Sequence, residues 1–481
     1  MIRPLLWIAA AAAALAACSK PVPIPVHDLQ VPVPQQWRAA ETTATAGSAD
    51  WWEYFGDPGL NAAIEQALEC SDDLRAAAAR IRAATQERVV AGAAERPDLS
   101  LGINRLRQRQ NFVGLPFPGL ADRVLSNTFS NAGLSFNIAW EADIWNRIGA
   151  DKLAAEANIR MREAELAGAR LSLSAQVAKA WFAAVEAQRQ IALAEQVLAN
   201  FETIAAWRQA RFSAGSGSPM EVRLAEADVA RAQTTLSQRR QARDAFVRQT
   251  ETLTCQYPAG ERSLTADLAA LPEQVPAGLP SELVSRRPDL IAAEQALLAA
   301  DARIVQARAT LRPSFVLTSA LGTSSNTLAD LVNPNLQIWN YALGLTQPIF
   351  NRGRLKANVR ATQERAAEQE SLYKARIWTA YKEIETALAA EQALRDQATS
   401  LRVSQSKTGM AIKLAEQRYR AASGDIFSVL NLRRAALENE SVMLGLRRTQ
   451  IDNRVDLHMA LGGGFEASPA NTGPTTAQQT P

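Results

Sequence analysis

The run Thr128-Phe129-Ser130-Asn131-Ala132-Gly133-Leu134-Ser135-Phe136-Asn137-Ile138-Ala139-Trp140-Glu141 decides the fold. From Leu134 on it alternates with a period of two. Leu134, Phe136, Ile138 and Trp140 share one face, and Ser135, Asn137 and Ala139 share the other, the pattern of a strand with one apolar side. Three more segments alternate in the same way, at roughly 98–106, 314–322 and 337–347. In the last, Trp339, Tyr341, Leu343 and Leu345 oppose Asn340, Ala342, Gly344 and Thr346; in the third, Phe315 and Leu317 oppose Ser314 and Thr318.

A soluble sandwich also shows such alternation, but these four strands form two hairpins and no further sheet is available to cover them. Lipid is the natural partner of the apolar face, and each strand is near the ~9–11 residues that cross a bilayer at a tilt. In lipid every backbone amide needs a partner, so the sheet must close. Four strands are too few, since about eight is the practical minimum for a barrel. The barrel must be shared between chains. Two chains fill the lumen with side chains, and an open lumen favours three. Trp140, Trp145, Trp339 and Phe350 lie at or near strand ends, where an interfacial aromatic girdle is expected.

The rest of the chain is helical and duplicated. Ile144-Trp145-Asn146-Arg147 recurs as Ile349-Phe350-Asn351-Arg352, Arg211-Phe212 with Ser216-Gly217-Ser218 recurs as Arg418-Tyr419 with Ser423-Gly424-Asp425, and Asp73-Leu74 recurs as Asp289-Leu290. Each unit is expected to hold a helix (near 71–95 and 288–310), two strands, a very long helix, a tight turn and a return helix. Val177, Ala184, Ile191 and Leu198 lie seven apart, as do Leu173, Ala180, Ala187, Ala194 and Phe201, giving an a/d seam with enough alanine for helix axes to approach closely. The turns fall at 214–219 and 421–426. In the first, Ser218 is expected to N-cap the return helix with Glu221 completing a capping box; in the second, Asp425 takes the N-cap position.

Composition agrees. The 481 residues are 47% hydrophobic but only 6% aromatic, which suits long alanine-packed helices better than a deep globular core. A net charge of +3 gives no electrostatic case for nucleic acid. With only His27 and His458, and Cys18, Cys70 and Cys255, a histidine-based metal centre and a conventional catalytic triad are close to excluded, and no cofactor is expected. Residues 1–17 read as an export signal, too short to span a membrane. Leu15-Ala16-Ala17-Cys18 resembles a bacterial lipobox, so Cys18 is expected to carry covalent lipid and, with Ser19 after it, to lie in the outer membrane. Residues 18–50 read as an extended tether, 51–262 and 263–462 as the two repeats, and 463–481 as a disordered tail.

Together these features resemble the outer-membrane factor family of TolC-like channels, in its NodT-like or OprM-like lipoprotein branch. The residues that carry the resemblance are Trp51-Trp52-Glu53-Tyr54-Phe55-Gly56-Asp57-Pro58, Gly278-Leu279-Pro280-Ser281-Glu282-Leu283, Arg286-Arg287-Pro288-Asp289-Leu290, Ala307-Arg308-Ala309 with Pro313, and Pro348-Ile349-Phe350-Asn351-Arg352-Gly353-Arg354. The fold so implied is mainly α with membrane β: a long α-helical barrel, and four strands per chain in a shared trimeric outer-membrane β-barrel of 12 strands. The resemblance implies a homotrimer that passively conducts substrates from a periplasmic adaptor and an inner-membrane pump of the RND type, and performs no chemistry. The tip turns, with Ser216, Gly217, Ser218, Glu221, Tyr419, Ser423, Gly424, Asp425, Ser428 and Asn431, would form the gate and meet the adaptor. Where relatives often carry acidic rings, this chain has the neutral Ser428 and Asn431, so closure is expected from packing and hydrogen bonds around Tyr419, Asp425 and Asn431. The resemblance also brings Cys70 and Cys255 together as a candidate disulfide. The rival readings, a periplasmic coiled-coil adaptor or a structural lipoprotein, leave the duplication or the strands unexplained.

Overall fold

The computed structural model describes residues 50–112, 125–271, 286–421 and 423–463, with single positions and short runs between 22 and 38. The signal, Cys18, most of the tether, the motif from Gly278 to Leu283 and the tail beyond 463 lie outside the described residues. A 3-10 turn at Trp51–Phe55 leads into α1 (Pro58–Cys70) and α2 (Asp72–Ala93), followed by β1 (Asp98–Phe112), β2 (Leu125–Ala142), α3 (Arg147–Ser213) and α4 (Pro219–Leu253). The series then recurs as α5 (Pro288–Ala309), β3 (Ser314–Ser325), β4 (Gln337–Thr346), α6 (Arg354–Arg420) and α7 (Ile426–Ala460). α2 and α5 each have 22 residues, α3 and α6 each 67, and α4 and α7 each 35. Equal lengths in equal order carry the internal duplication.

The repeats are not the compact bodies. One unit comprises Met1–Leu29, Arg80–Arg162 and Ala293–Leu372, the other Gln30–Ala79, Glu163–Ala292 and Tyr373–Pro481. Each draws on both repeats, because α3 and α6 run on from one unit into the other and neither repeat closes a core alone.

The first unit holds a single sheet in the order β1-β2-β3-β4, antiparallel throughout. The strands at 98–106 and 128–141 extend beyond their expected ends, to Phe112 and back to Leu125. The apolar alternation stops there while the backbone pairing continues. α3 begins where Asp143 accepts hydrogen bonds from the amides of Arg147, Ile148 and Gly149 at 2.6, 3.0 and 2.7 Å, meeting three of the four donors a helix start leaves open. Ala154 and Ala157 then pack on Ala299 and Ala302, small side chains that let two helices approach closely.

The second unit has the larger core, built from Trp51, Trp52 and Phe55 against Trp181, Phe182, Val185, Ile451 and Val455. The motif around Asp57 is explained by its buried carboxylate. Oδ1 caps α1 through the amides of Gly59 and Leu60, and Oδ2 accepts from the Trp181 indole at 2.9 Å and the Thr265 hydroxyl at 3.0 Å. Arg287 forks onto Asp289, reaches Glu383 at 2.8 Å and donates to the Ala460 carbonyl. Burial raises the Asp289 carboxyl, but the Arg287 fork more than offsets it and leaves the group below its usual range. After α4, buried Glu251 accepts from the amides of Gly260, Glu261 and Arg262 at 2.7, 2.8 and 3.0 Å. Burial again pushes the carboxyl up, and the three amides win and lower it. In the same stretch Cys255 is disulfide-bonded to Cys70, with Cα atoms 6.2 Å apart.

Candidate functional site

Strand register turns the sequence alternation into a surface. Leu99, Ile138 and Tyr341 fall in one cross-strand row with Ser319; Leu101, Phe136, Leu321 and Trp339 fill the next; Ile103 and Leu134 follow, opposite Thr323 and Gln337. On the other side of these rows, Trp140, Leu317 and Leu343 lie together, and then Phe315 and Leu345. Leu101, Trp339, Tyr341 and Leu343 are 59%, 63%, 64% and 74% exposed, so among the described residues nothing covers these side chains. The five rows span eight residues of β2, about 27 Å along the strand and about 20 Å of height at the usual tilt, which is close to the apolar band of a membrane barrel. The opposite face is small and polar. Ser100, Asn137, Ala320 and Asn340 share a row, and there Asn340 accepts from the Ala320 amide and Asn137 donates to Ser135.

The four aromatics expected at the interface divide in two. Trp339, stacked on Tyr341 at 5.8 Å between ring centroids, and Phe350 are exposed. Trp140 and Trp145 are half-buried and anchor the sheet to its helices. The Trp140 indole donates to the Glu95 carbonyl at 3.2 Å. That of Trp145 donates to the Pro313 carbonyl at 2.7 Å, with the Arg312 guanidinium over its ring.

The two helical turns in the second unit are copies of one geometry. The amide and hydroxyl of Ser216 both donate to the Arg211 carbonyl, at 2.9 and 3.2 Å, and those of Ser423 do the same to Arg418 at the same distances. Glycine follows each serine because the chain doubles back tightly: a Cβ at Gly217 would lie 2.8 Å from the Phe212 nitrogen, and one at Gly424 would lie 3.0 Å from that of Tyr419. Ser218 and Asp425 hold the expected N-cap positions, and the expected capping box is corrected. Ser218 accepts from the Met220 amide, and Glu221 does not turn back to complete a capping box; its carboxylate crosses to Arg208 at 2.7 Å. Asp425 takes the N-cap position with extended backbone, and its side chain accepts no cap hydrogen bond.

Arg208 is the residue the sequence analysis missed. Its guanidinium pairs with Glu221 and sits 3.8 Å from the centre of the Phe427 ring, so it joins the two hairpins. Arg208 lies five residues before the end of α3 and Glu221 two after the start of α4, so no symmetric spacing about the turn marks the pair in the sequence. Asn200 adds a hydrogen bond to the Leu430 carbonyl at 3.1 Å. A groove of ≈ 660 Å³ runs here, lined in part by Phe201, Arg208, Leu224, Phe427 and Asn431. In the second hairpin Arg433 bonds to Glu416 at 2.7 Å and holds that carboxyl below its usual range. Tyr419, Ser423, Gly424, Asp425, Ser428 and Asn431 are all exposed. Among the described residues no cluster of three or more His, Cys, Asp or Glu is placed to hold a metal ion, and no helix is long and apolar enough to cross a membrane.

Comparison with known proteins gives the same picture. The outer membrane efflux protein family matches at residues 63–253 and 279–463, once per repeat. The pyoverdine export outer membrane protein OpmQ of Pseudomonas aeruginosa is 32% identical over 464 residues, covering 93% of this chain and 94% of the relative. The open-state MtrE outer membrane channel of Neisseria gonorrhoeae superposes with a TM-score of 0.79 at 28% identity, over 92% of this chain and 98% of that one. The outer-membrane channel OprN superposes with a TM-score of 0.83 at 24% identity, over 92% and 100%. The fold with its duplication, the role of outer-membrane efflux channel and the outer-membrane location are therefore borne out. This chain belongs to the outer membrane efflux protein family.

Proposed function

We propose that three copies of this outer-membrane efflux channel form the working duct, with β1 of one chain pairing with β4 of the next. The observation that carries this is the open four-stranded sheet. Its apolar face is bare and its edge strands β1 and β4 run in opposite directions, so an antiparallel pairing between copies satisfies every edge amide that lipid would leave unpaired. Three times four strands gives about the smallest barrel with an open lumen. The two tip turns form the resting gate and the surface for a periplasmic adaptor, and an inner-membrane RND pump drives export. The protein itself is a passive duct without catalysis, held additionally by lipid on Cys18. The exposure of Tyr419, Asp425 and Asn431 in the single chain supports a gate closed by contacts between copies. An adaptor or a structural lipoprotein would have no use for the bare apolar face.

Purified protein should run as a heat-stable trimer on a gel and give discrete conductance steps in a planar bilayer. A monomer in detergent that never conducts would overturn the shared barrel.

A further inference from the structure

We propose that the outward face of the first strand hairpin binds the phosphate groups of lipid headgroups in the outer leaflet. The β1–β2 hairpin outruns its neighbours: β3 pairs with β2 only from Ala132 onward, while β1 and β2 stay paired up to Phe112 and Leu125. Along β1 the face that bears Leu99, Leu101 and Ile103 continues with Arg105, Arg107 and Arg109, because successive side chains on one face are two residues apart. The β2 residues opposite these arginines are Ala132, Ser130 and Thr128, all too small to cover them, and all three arginines are exposed.

Among the described residues none of the three has an acidic partner. Arg109 reaches only the Ser126 hydroxyl, at 2.9 Å. β1 after Asp98 and β2 before Glu141 contain no carboxylate. The other face of this extension carries Leu106, Phe112 and Phe129, so positive charge lies on one side only. All four strands meet their helices at the end marked by Asp98, Ala142, Ser314 and Thr346. With the helices in the periplasm, the extended hairpin points outward. The arginines then stand about 5–15 Å beyond the apolar band on the lipid side, the depth of headgroups. A guanidinium pairs with phosphate in bidentate geometry, and three on one stripe match an anionic glycolipid surface.

The proposal rests on the outer-membrane placement of the sheet. The test uses the full-length oligomer in nanodiscs, titrated with diphosphoryl lipid A, with dephosphorylated lipid A and with inorganic phosphate. Wild type should hold the diphosphoryl lipid, release it at high salt, and bind the dephosphorylated form weakly. The combined variant Arg105→Gln, Arg107→Gln, Arg109→Gln should bind the diphosphoryl lipid roughly 100-fold more weakly, at the ~1 kcal/mol each basic residue contributes near an anionic surface. Arginine-to-lysine replacement at the same three positions should bind between wild type and the glutamine variant, because it keeps the charge and loses the bidentate fork. Equal binding of the two lipids by wild type, undiminished binding by the glutamine variant, or full displacement by millimolar phosphate would each overturn the proposal. The two-lipid comparison needs no variant and decides even where the glutamine variant fails to assemble. Conductance should be unchanged in the variants, which separates loss of the lipid contact from failure of the channel reading.

Discussion

His458 shows what one residue can report about the second unit. It is 4% exposed, stacked on Trp51 with ring centroids 5.4 Å apart, and close to buried Arg454, which bonds Glu391 at 2.6 Å. Burial first, and then the positive Arg454, lower its pKa to about 4. The unfolded chain takes up a proton near 6.5 and the native chain does not, so the native state is undisturbed above that pH and loses stability as pH falls toward about 4. The full loss is about 3 kcal/mol. Asp289 and Glu251, both lowered, add their own loss only at still lower pH, as it falls past the ordinary carboxylate range. The melting temperature should therefore stay flat above pH 7 and decline between 6.5 and 4, and His458→Phe should flatten that decline. Its Nε2 has no hydrogen-bond partner among the described residues, so the substitution forfeits none there. A wild-type melting temperature unchanged down to pH 5 would refute the argument.

At the scale of elements, the tip turns and the disulfide were legible to different depths. The turns were readable because glycine and serine at fixed offsets dictate a reversal between helices, and the same Ser-Gly geometry stands in both repeats. The partner of Glu221 was not readable, because choosing between its own helix start and Arg208 depends on how two arms lie side by side. The Cys70–Cys255 pairing came only through the family resemblance. It joins the end of α1 to the residues just after α4 across 185 positions, a closure no local pattern encodes. Because it constrains so long a loop, Cys255→Ser should lower unfolding stability by about 2–5 kcal/mol. Denaturant unfolding should show reduced wild type matching the variant; equal stability of oxidised and reduced wild type would count against the bond's structural role.

The whole molecule is a duplicated helical chain whose four strands form one sheet, open at β1 and β4 in the single chain. The positions where relatives often carry acidic rings are here Ser428 and Asn431, neutral and exposed, so three copies present no strong carboxylate ring unless Asp425 supplies one. Divalent cations added from the periplasmic side should therefore leave single-channel conductance largely unblocked. Strong block would assign a cation ring to Asp425.

Period-two alternation, heptad spacing and the repeated turn signatures by themselves determined which segments are strands and long helices, that the chain is duplicated, and that one sheet face needs lipid. These properties are local, set by residue spacing along the chain. Tertiary structure alone decided the register that gathers Leu101, Phe136, Leu321 and Trp339 into one row, the extension of the first hairpin past the apolar band, the division into units that cut across both repeats, and the crossing of Glu221 to Arg208. Each depends on which distant backbone lies alongside, and the free energy of that choice comes from packing and pairing between segments far apart in the chain.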